Sequence, residues 1–259
     1  MIILKKIIIV LNLYLMFFCL ISCGDSDVKH YKNEVSKTEF KLKFDECYDD
    51  AFWKTDILNK DFTLSITNDQ TTTDYLAGDV FEVRSYDYNY NLEYDSNSGR
   101  CNLTEISIKN GKEEVNQLTK MKVYDNAVYL IFEDGGLNFK KYNDAEYFFN
   151  SRCSFENEFI SFYDTSNIAS TNTKYYVDGN VFTMVQTWKY GYKITGKEEF
   201  ILQFVFNENS LEYTYVKDSD QYPDSIDEYD NRKEHIIKKY ALYLKEVKLD
   251  SIDVSKYLN

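Results

Sequence analysis

The chain has 259 residues, with 43 acidic against 30 basic side chains and a formal charge of −13. That length suffices for one large β domain or two small ones. The acid excess excludes nucleic-acid binding, which relies on clustered Lys and Arg, and excludes electrostatic adhesion to anionic lipid headgroups.

At the N-terminus, Lys5 and Lys6 precede an apolar run from Ile7 to Phe18, interrupted by Asn12. A charged start and an apolar core of about a dozen residues is the layout of an export signal. It is short for a membrane span, which needs about 20 apolar residues. Ser22 then precedes Cys23, and the chain turns polar at Gly24 and Asp25. Leu20-Ile21-Ser22-Cys23 resembles the lipobox of bacterial lipoproteins. The resemblance implies recognition of Leu20, Ile21 and Ser22, cleavage before Cys23, a diacylglycerol on the Cys23 thiol and an acylated amine. It implies a cell-envelope protein held to a bacterial membrane by acyl chains, at the outer membrane or cell surface rather than the inner membrane. Each buried methylene contributes about 0.8 kcal/mol to such an anchor. The expected plan is a signal peptide at 1–22, a flexible tether at 23–38 that includes His30, and one β-rich domain at 39–259. Cleavage would take the charge from −13 to −15, since residues 1–22 hold two lysines and no acid.

From residue 39, Phe40, Leu42 and Phe44 alternate with polar residues, as do Phe62, Leu64 and Ile66, and both runs read as half-buried strands. Asn68–Asp74 reads as a Thr-rich polar turn. Tyr86, Tyr88, Tyr90, Leu92 and Tyr94 then alternate with Asp87, Asn89, Asn91, Glu93 and Asp95. Successive strand side chains point to opposite faces, so this is a long strand with one aromatic and one acidic side. Its tyrosines either pack in the core or line a ligand cavity. Tyr86, Tyr88, Tyr90 and Tyr94 are the candidate ligand-lining residues.

Hairpins follow. Asn110-Gly111 is a strong two-residue turn signal, and Asp125-Asn126, Glu133–Gly136 and Asp178-Gly179 mark further turns. A helical turn is expected around Tyr147–Phe149, and a strand at Phe159–Tyr163. Phe200–Phe206 is apolar on both sides, as in a strand covered on both faces. Residues 217–230 read as an acidic loop. Glu228–Lys239 has helix-forming composition and leads into a last strand, giving a short C-terminal helix. Ten to twelve short strands joined by tight turns predict a mostly β protein, an antiparallel meander forming a barrel or sandwich. The hairpin rhythm of residues 174–216 resembles the later strands of lipocalin-like β-barrel lipoproteins, although the Gly-x-Trp opening of true lipocalins is absent and Trp53 follows Ala51-Phe52.

After Cys19 and Cys23 are assigned to the leader and the anchor, Cys47, Cys101 and Cys153 remain, an odd set. They form either one disulfide and one thiol or three thiols. If a pair forms, Cys101–Cys153 is expected, because each follows an Arg at a loop-to-strand junction.

With only His30 and His235, a Ser-His-Asp or Cys-His system would have to use His235. There is no Gly-x-Ser-x-Gly elbow, no phosphate-cradling glycine loop and no Cys-x-x-Cys pair. The acids single out no pair for glycoside hydrolysis. No metal, cofactor or catalytic residue is therefore assigned. The expected function is binding of a small or lipidic ligand by a membrane-anchored lipoprotein. The alternative is a surface or structural lipoprotein that contacts another protein, and a hydrolase ranks behind both.

Overall fold

The computed structural model describes residues 31–49, 57–142, 144–153, 170–192, 194–223 and 231–254. The lipobox, His30, Trp53, the strand expected at 159–163 and residues 224–230 of the expected acidic loop lie outside the described residues.

In chain order the elements are β1 (Glu34–Val35), α1 (Lys37–Asp49), a 3-10 turn (Ile57–Asn59), β2 (Phe62–Leu76), β3 (Asp79–Asp95), β4 (Arg100–Lys109), β5 (Lys112–Tyr124), β6 (Ala127–Ile131) and β7 (Leu137–Tyr142). Then come α2 (Ala145–Cys153), β8 (Ser170–Asp178), β9 (Val181–Tyr192), β10 (Ile194–Asn207), β11 (Ser210–Pro223) and β12 (Asn231–Leu244). Among the described residues the strands form one antiparallel sheet in the order β1-β8-β9-β10-β11-β12-β2-β3-β4-β5-β6-β7. Two meanders, β2–β7 and β8–β12, are joined where β12 pairs with β2. The mostly β, meandering architecture is thus the one read from the sequence.

The turns explain why neighbours pair. Asn110 and Gly111 have φ of 50° and 73°, and Asp125 and Asn126 have φ of 49° and 54°. Left-handed geometry at both central residues matches the twist of a two-residue hairpin, and Asn, Asp and Gly tolerate it.

The structure corrects the sequence expectations in four regions of the chain. First, Phe40–Phe44 is helical. Ser36-Lys37-Thr38-Glu39 is a capping box, with the Ser36 hydroxyl accepting from the Glu39 N–H at 3.2 Å. Lys43–Glu39 and Lys41–Asp45 ion pairs follow the i,i+4 rule. Phe40 and Phe44 fall on one buried helical face, whereas Leu42 is 59% exposed. Second, Asn68–Asp74 is not a turn but lies within the fifteen-residue β2, paired on both sides with β12 and β3. Third, the described part of the expected C-terminal helix, from Asn231, is β12. Long ladders with β11 and β2 override its weak helix propensity. Likewise Asp218 and Asp220 belong to β11 rather than to an acidic loop. Fourth, the ordered domain begins before residue 39: Glu34 and Val35 pair with Tyr176 and Tyr175, and Tyr31 stacks on Tyr176 at 5.2 Å.

Both helices lie on one face of the sheet. Phe44 of α1 meets Phe204 of β10 at 4.9 Å and Phe182 of β9 at 5.6 Å. Phe149 of α2 meets Tyr94 of β3 at 5.0 Å and Phe62 of β2 at 5.7 Å. The register places Leu64, Leu92, Leu242 and Leu211 on that same face, and all four are buried.

Further along the long strands this face turns polar. Asp74 on β2 receives the guanidinium of Arg84 on β3 at 2.5 Å and that of Arg232 on β12 at 2.7 Å. Lys217 on β11 bridges Glu234 on β12 at 2.7 Å and Glu198 on β10 at 3.4 Å. Burial works against the Lys217 ammonium, but the two carboxylates outweigh it and hold its pKa above the ordinary lysine value. Asp74 and Glu198 are buried. Three cations and three anions thus alternate across five strands, which lets charged groups leave water in compensated sets.

Candidate functional site

The β3 tyrosines share one face of their strand, the face covered by α2. Their partners show it: Tyr94 is opposite Phe62, Tyr90 opposite Ile66 and Tyr86 opposite Gln70. The stripe runs from the aromatic core towards the charged ladder, so its members do different things.

Tyr94 is a core residue. It is buried between Phe62 and Phe149, and its hydroxyl donates to the Leu58 carbonyl at 3.1 Å. Burial pushes its pKa up to about 12. Tyr90 is also buried, yet it borders a cavity of about 270 Å³. Leu103 on β4, Met121 on β5, Val128 and Leu130 on β6 and Phe148 on α2 give that cavity its apolar wall. Glu105, Gln117, Thr119 and Arg152 add polar groups.

Local sequence explains this wall. Asp144 caps α2, accepting the Tyr147 N–H at 2.9 Å. Phe148 and Arg152 then stand one helical turn apart. The Arg152 guanidinium lies 3.6 Å over the Phe148 ring and donates to the Phe148 carbonyl at 3.2 Å. Burial raises the pKa of Tyr90, and Arg152 beside it offsets part of that rise.

Tyr88 touches the cavity only indirectly, through Glu105, which lines it. Its hydroxyl donates to Glu105 at 3.2 Å. Burial first, then the Glu105 charge, push the Tyr88 pKa up to about 12. Tyr86 lies beyond, in a separate groove of about 400 Å³ lined by Arg84, Lys109 and Arg232.

Of the four predicted tyrosines, Tyr90 therefore borders the cavity, Tyr88 acts through Glu105, Tyr86 lines another groove and Tyr94 belongs to the core. The sequence reading missed Glu105 and Arg152. A helical signal was visible around Tyr147–Phe149, but nothing local indicates that this helix folds over β3 and β4.

The remaining candidates stand apart. Cys101 is fully buried on β4, opposite Met121. Cys153 ends α2, and its side chain lies outside the described residues, so their pairing stands as a proposal. His235 places Nδ1 2.7 Å from Asp218 Oδ1, with both side chains at least half exposed. Among the described residues no three His, Cys, Asp or Glu side chains gather to hold a metal ion. No described helix is long and apolar enough to cross a membrane.

A second surface feature lies at the tip of the β2–β3 hairpin. Leu76, Val80, Phe81 and Val83 are exposed there, and β4 pairs with β3 only from Tyr86 onward.

No protein-family model matches this chain, and no curated protein matches it.

Proposed function

We propose that this protein is a lipoprotein of the bacterial cell envelope, held by acyl chains on Cys23, whose β domain binds a small or lipidic ligand. The observation that carries the binding reading is the cavity beside Tyr90. It is partly enclosed between sheet and helix, and apolar side chains share its wall about equally with converging polar ones, a concave mixture of the kind small molecules can occupy. At about 270 Å³ it suits a small ligand, or one end of a longer amphiphile whose remainder follows Tyr88 towards Tyr86.

The test is native mass spectrometry of the chain purified from its own host in mild detergent. The expected result is a mature chain beginning at a lipidated Cys23 and carrying a noncovalent adduct, which Leu103→Trp removes by filling the cavity. An unmodified Cys23 refutes the anchor. An adduct indifferent to Leu103→Trp refutes the binding site.

The exposed apolar tip of β2–β3 favours a second reading, contact with another protein, since contiguous exposed apolar patches mark interaction sites. Under that reading Phe81→Ser abolishes partner capture on the host cell surface while the cavity variant leaves it intact.

A further inference from the structure

The charges that face the cavity narrow the ligand further. Among its described lining residues there is one cation, Arg152, and one anion, Glu105. Arg152 is fixed by its stacking on Phe148 and by the bond to the Phe148 carbonyl. Glu105 is fixed by the Tyr88 hydroxyl. Gln117 and Thr119 supply further hydrogen-bonding groups, and Leu103 and Met121 supply an apolar floor.

A ligand entering this space gives up water, so each charge it carries must meet an opposite charge inside. A purely anionic amphiphile would match Arg152 but face Glu105. A purely cationic one would match Glu105 but face Arg152. A molecule bearing both charges close together satisfies both, and a guanidinium is the side chain best shaped to grip a carboxylate through two parallel hydrogen bonds. At interior packing density the cavity holds about ten non-hydrogen atoms, the size of leucine or methionine.

We infer that the cavity takes a small apolar zwitterion of the amino-acid class, with its carboxylate on Arg152, its ammonium on Glu105 and its side chain against Leu103 and Met121. This rests on the proposed binding function and specifies the ligand of that same site.

The test is isothermal titration of the full-length chain in detergent micelles with four probes: L-leucine, N-acetyl-L-leucine, L-leucinamide and 4-methyl-1-pentanol. Leucine is expected to bind at least tenfold more tightly than each of the other three. Glu105→Gln should erase the preference over N-acetyl-leucine, and Arg152→Gln the preference over leucinamide. Arg152→Lys, which keeps the charge, should recover part of the preference that Arg152→Gln loses. Thermal melts confirm that each variant folds, and a variant that does not fold is replaced by the wild-type comparison of the four probes, which is sufficient alone. Equal binding of all four probes, or preference for the alcohol, overturns the inference while leaving a binding cavity. Binding of none of them also overturns it, and the adduct carried by host-purified protein then reports separately on the binding function.

Discussion

Replacing Phe44 by Ala should destabilise the domain severely, while replacing Leu42 by Ala should leave it almost unchanged. Phe44 is 4% exposed, and its ring meets Phe204 at 4.9 Å, Phe206 at 5.3 Å and Phe182 at 5.6 Å. The three contacts are edge-on, the geometry that ring quadrupoles favour, and each adds about 0.5–1.5 kcal/mol beyond area burial. Truncation of a buried Phe to Ala costs about 3–5 kcal/mol. The tight ring cluster places Phe44 towards the upper end, a large share of the roughly 5–15 kcal/mol that stabilises a typical domain. Phe44→Leu keeps most of the volume and loses the three edge contacts, so a loss smaller than that of Phe44→Ala but of at least about 1.5 kcal/mol follows from the same ring terms. Leu42 projects into solvent, and surface substitutions stay within about 0.5 kcal/mol. Urea unfolding followed by circular dichroism measures all three, with the midpoint shifting at constant slope. If residues 40–44 formed a strand, Leu42 and Phe44 would share a buried face. Comparable losses for Leu42→Ala and Phe44→Ala would therefore refute the helical packing of α1, as would a Phe44→Ala loss below about 1 kcal/mol.

Asp74→Ala should cost about 3 kcal/mol, the lower end for breaking a buried ion pair because both arginines are partly exposed; it leaves Arg84 and Arg232 facing one another. Urea midpoints should show it, and a midpoint equal to that of the unsubstituted chain would remove the charged ladder from the account of stability. The acid limb of stability should depend on Asp95. Burial alone would raise its pKa, but N–H donors from Leu249, Ser98 and Asn97 and the Ser98 hydroxyl hold it below the ordinary carboxylate value. Its contribution is thus present above the unfolded pKa and lost as pH falls through the folded one. Asp95→Asn should flatten the decline of the urea midpoint below about pH 4. Asp87 has the opposite sign: its hydrogen bond with Asp69 directly across the ladder, then burial, raise its pKa. That contribution is present below the unfolded pKa and lost as pH rises, so Asp87→Asn should raise the midpoint at pH 7 and give no gain at pH 3. Gly99→Ala should cost about 1–3 kcal/mol through backbone strain, because φ is +63° and an added Cβ would lie 2.7 Å from the Val123 carbonyl; an unchanged melting temperature would contradict the turn geometry.

Where the chain obeys a local periodicity, its structure was legible. The alternation at Tyr86–Tyr94 places every tyrosine on one face of β3, and the Asn110-Gly111 turn sets the β4–β5 hairpin. Residues 40–44 misled because Phe40, Leu42 and Phe44 fit period two while Phe40 and Phe44 alone fit a helical turn. The Ser36–Glu39 capping box was the signal that could have decided it. Residues 68–74 and 231–239 misled for the converse reason, since neither carries apolar alternation and both are strands only because neighbours supply hydrogen-bond ladders on both sides.

By itself, then, the sequence determined the β class, the meandering connections and the common face of the β3 tyrosines, because side-chain alternation and turn chemistry act between residues a few positions apart. The tertiary structure alone decided which of those tyrosines is core and which borders the cavity. It also brought Arg152 and Glu105 to the same wall. It made Asp74 a buried ladder member by supplying Arg232 from 158 positions away. Such groupings depend on which strands become neighbours and where a helix docks, and no local pattern encodes that choice.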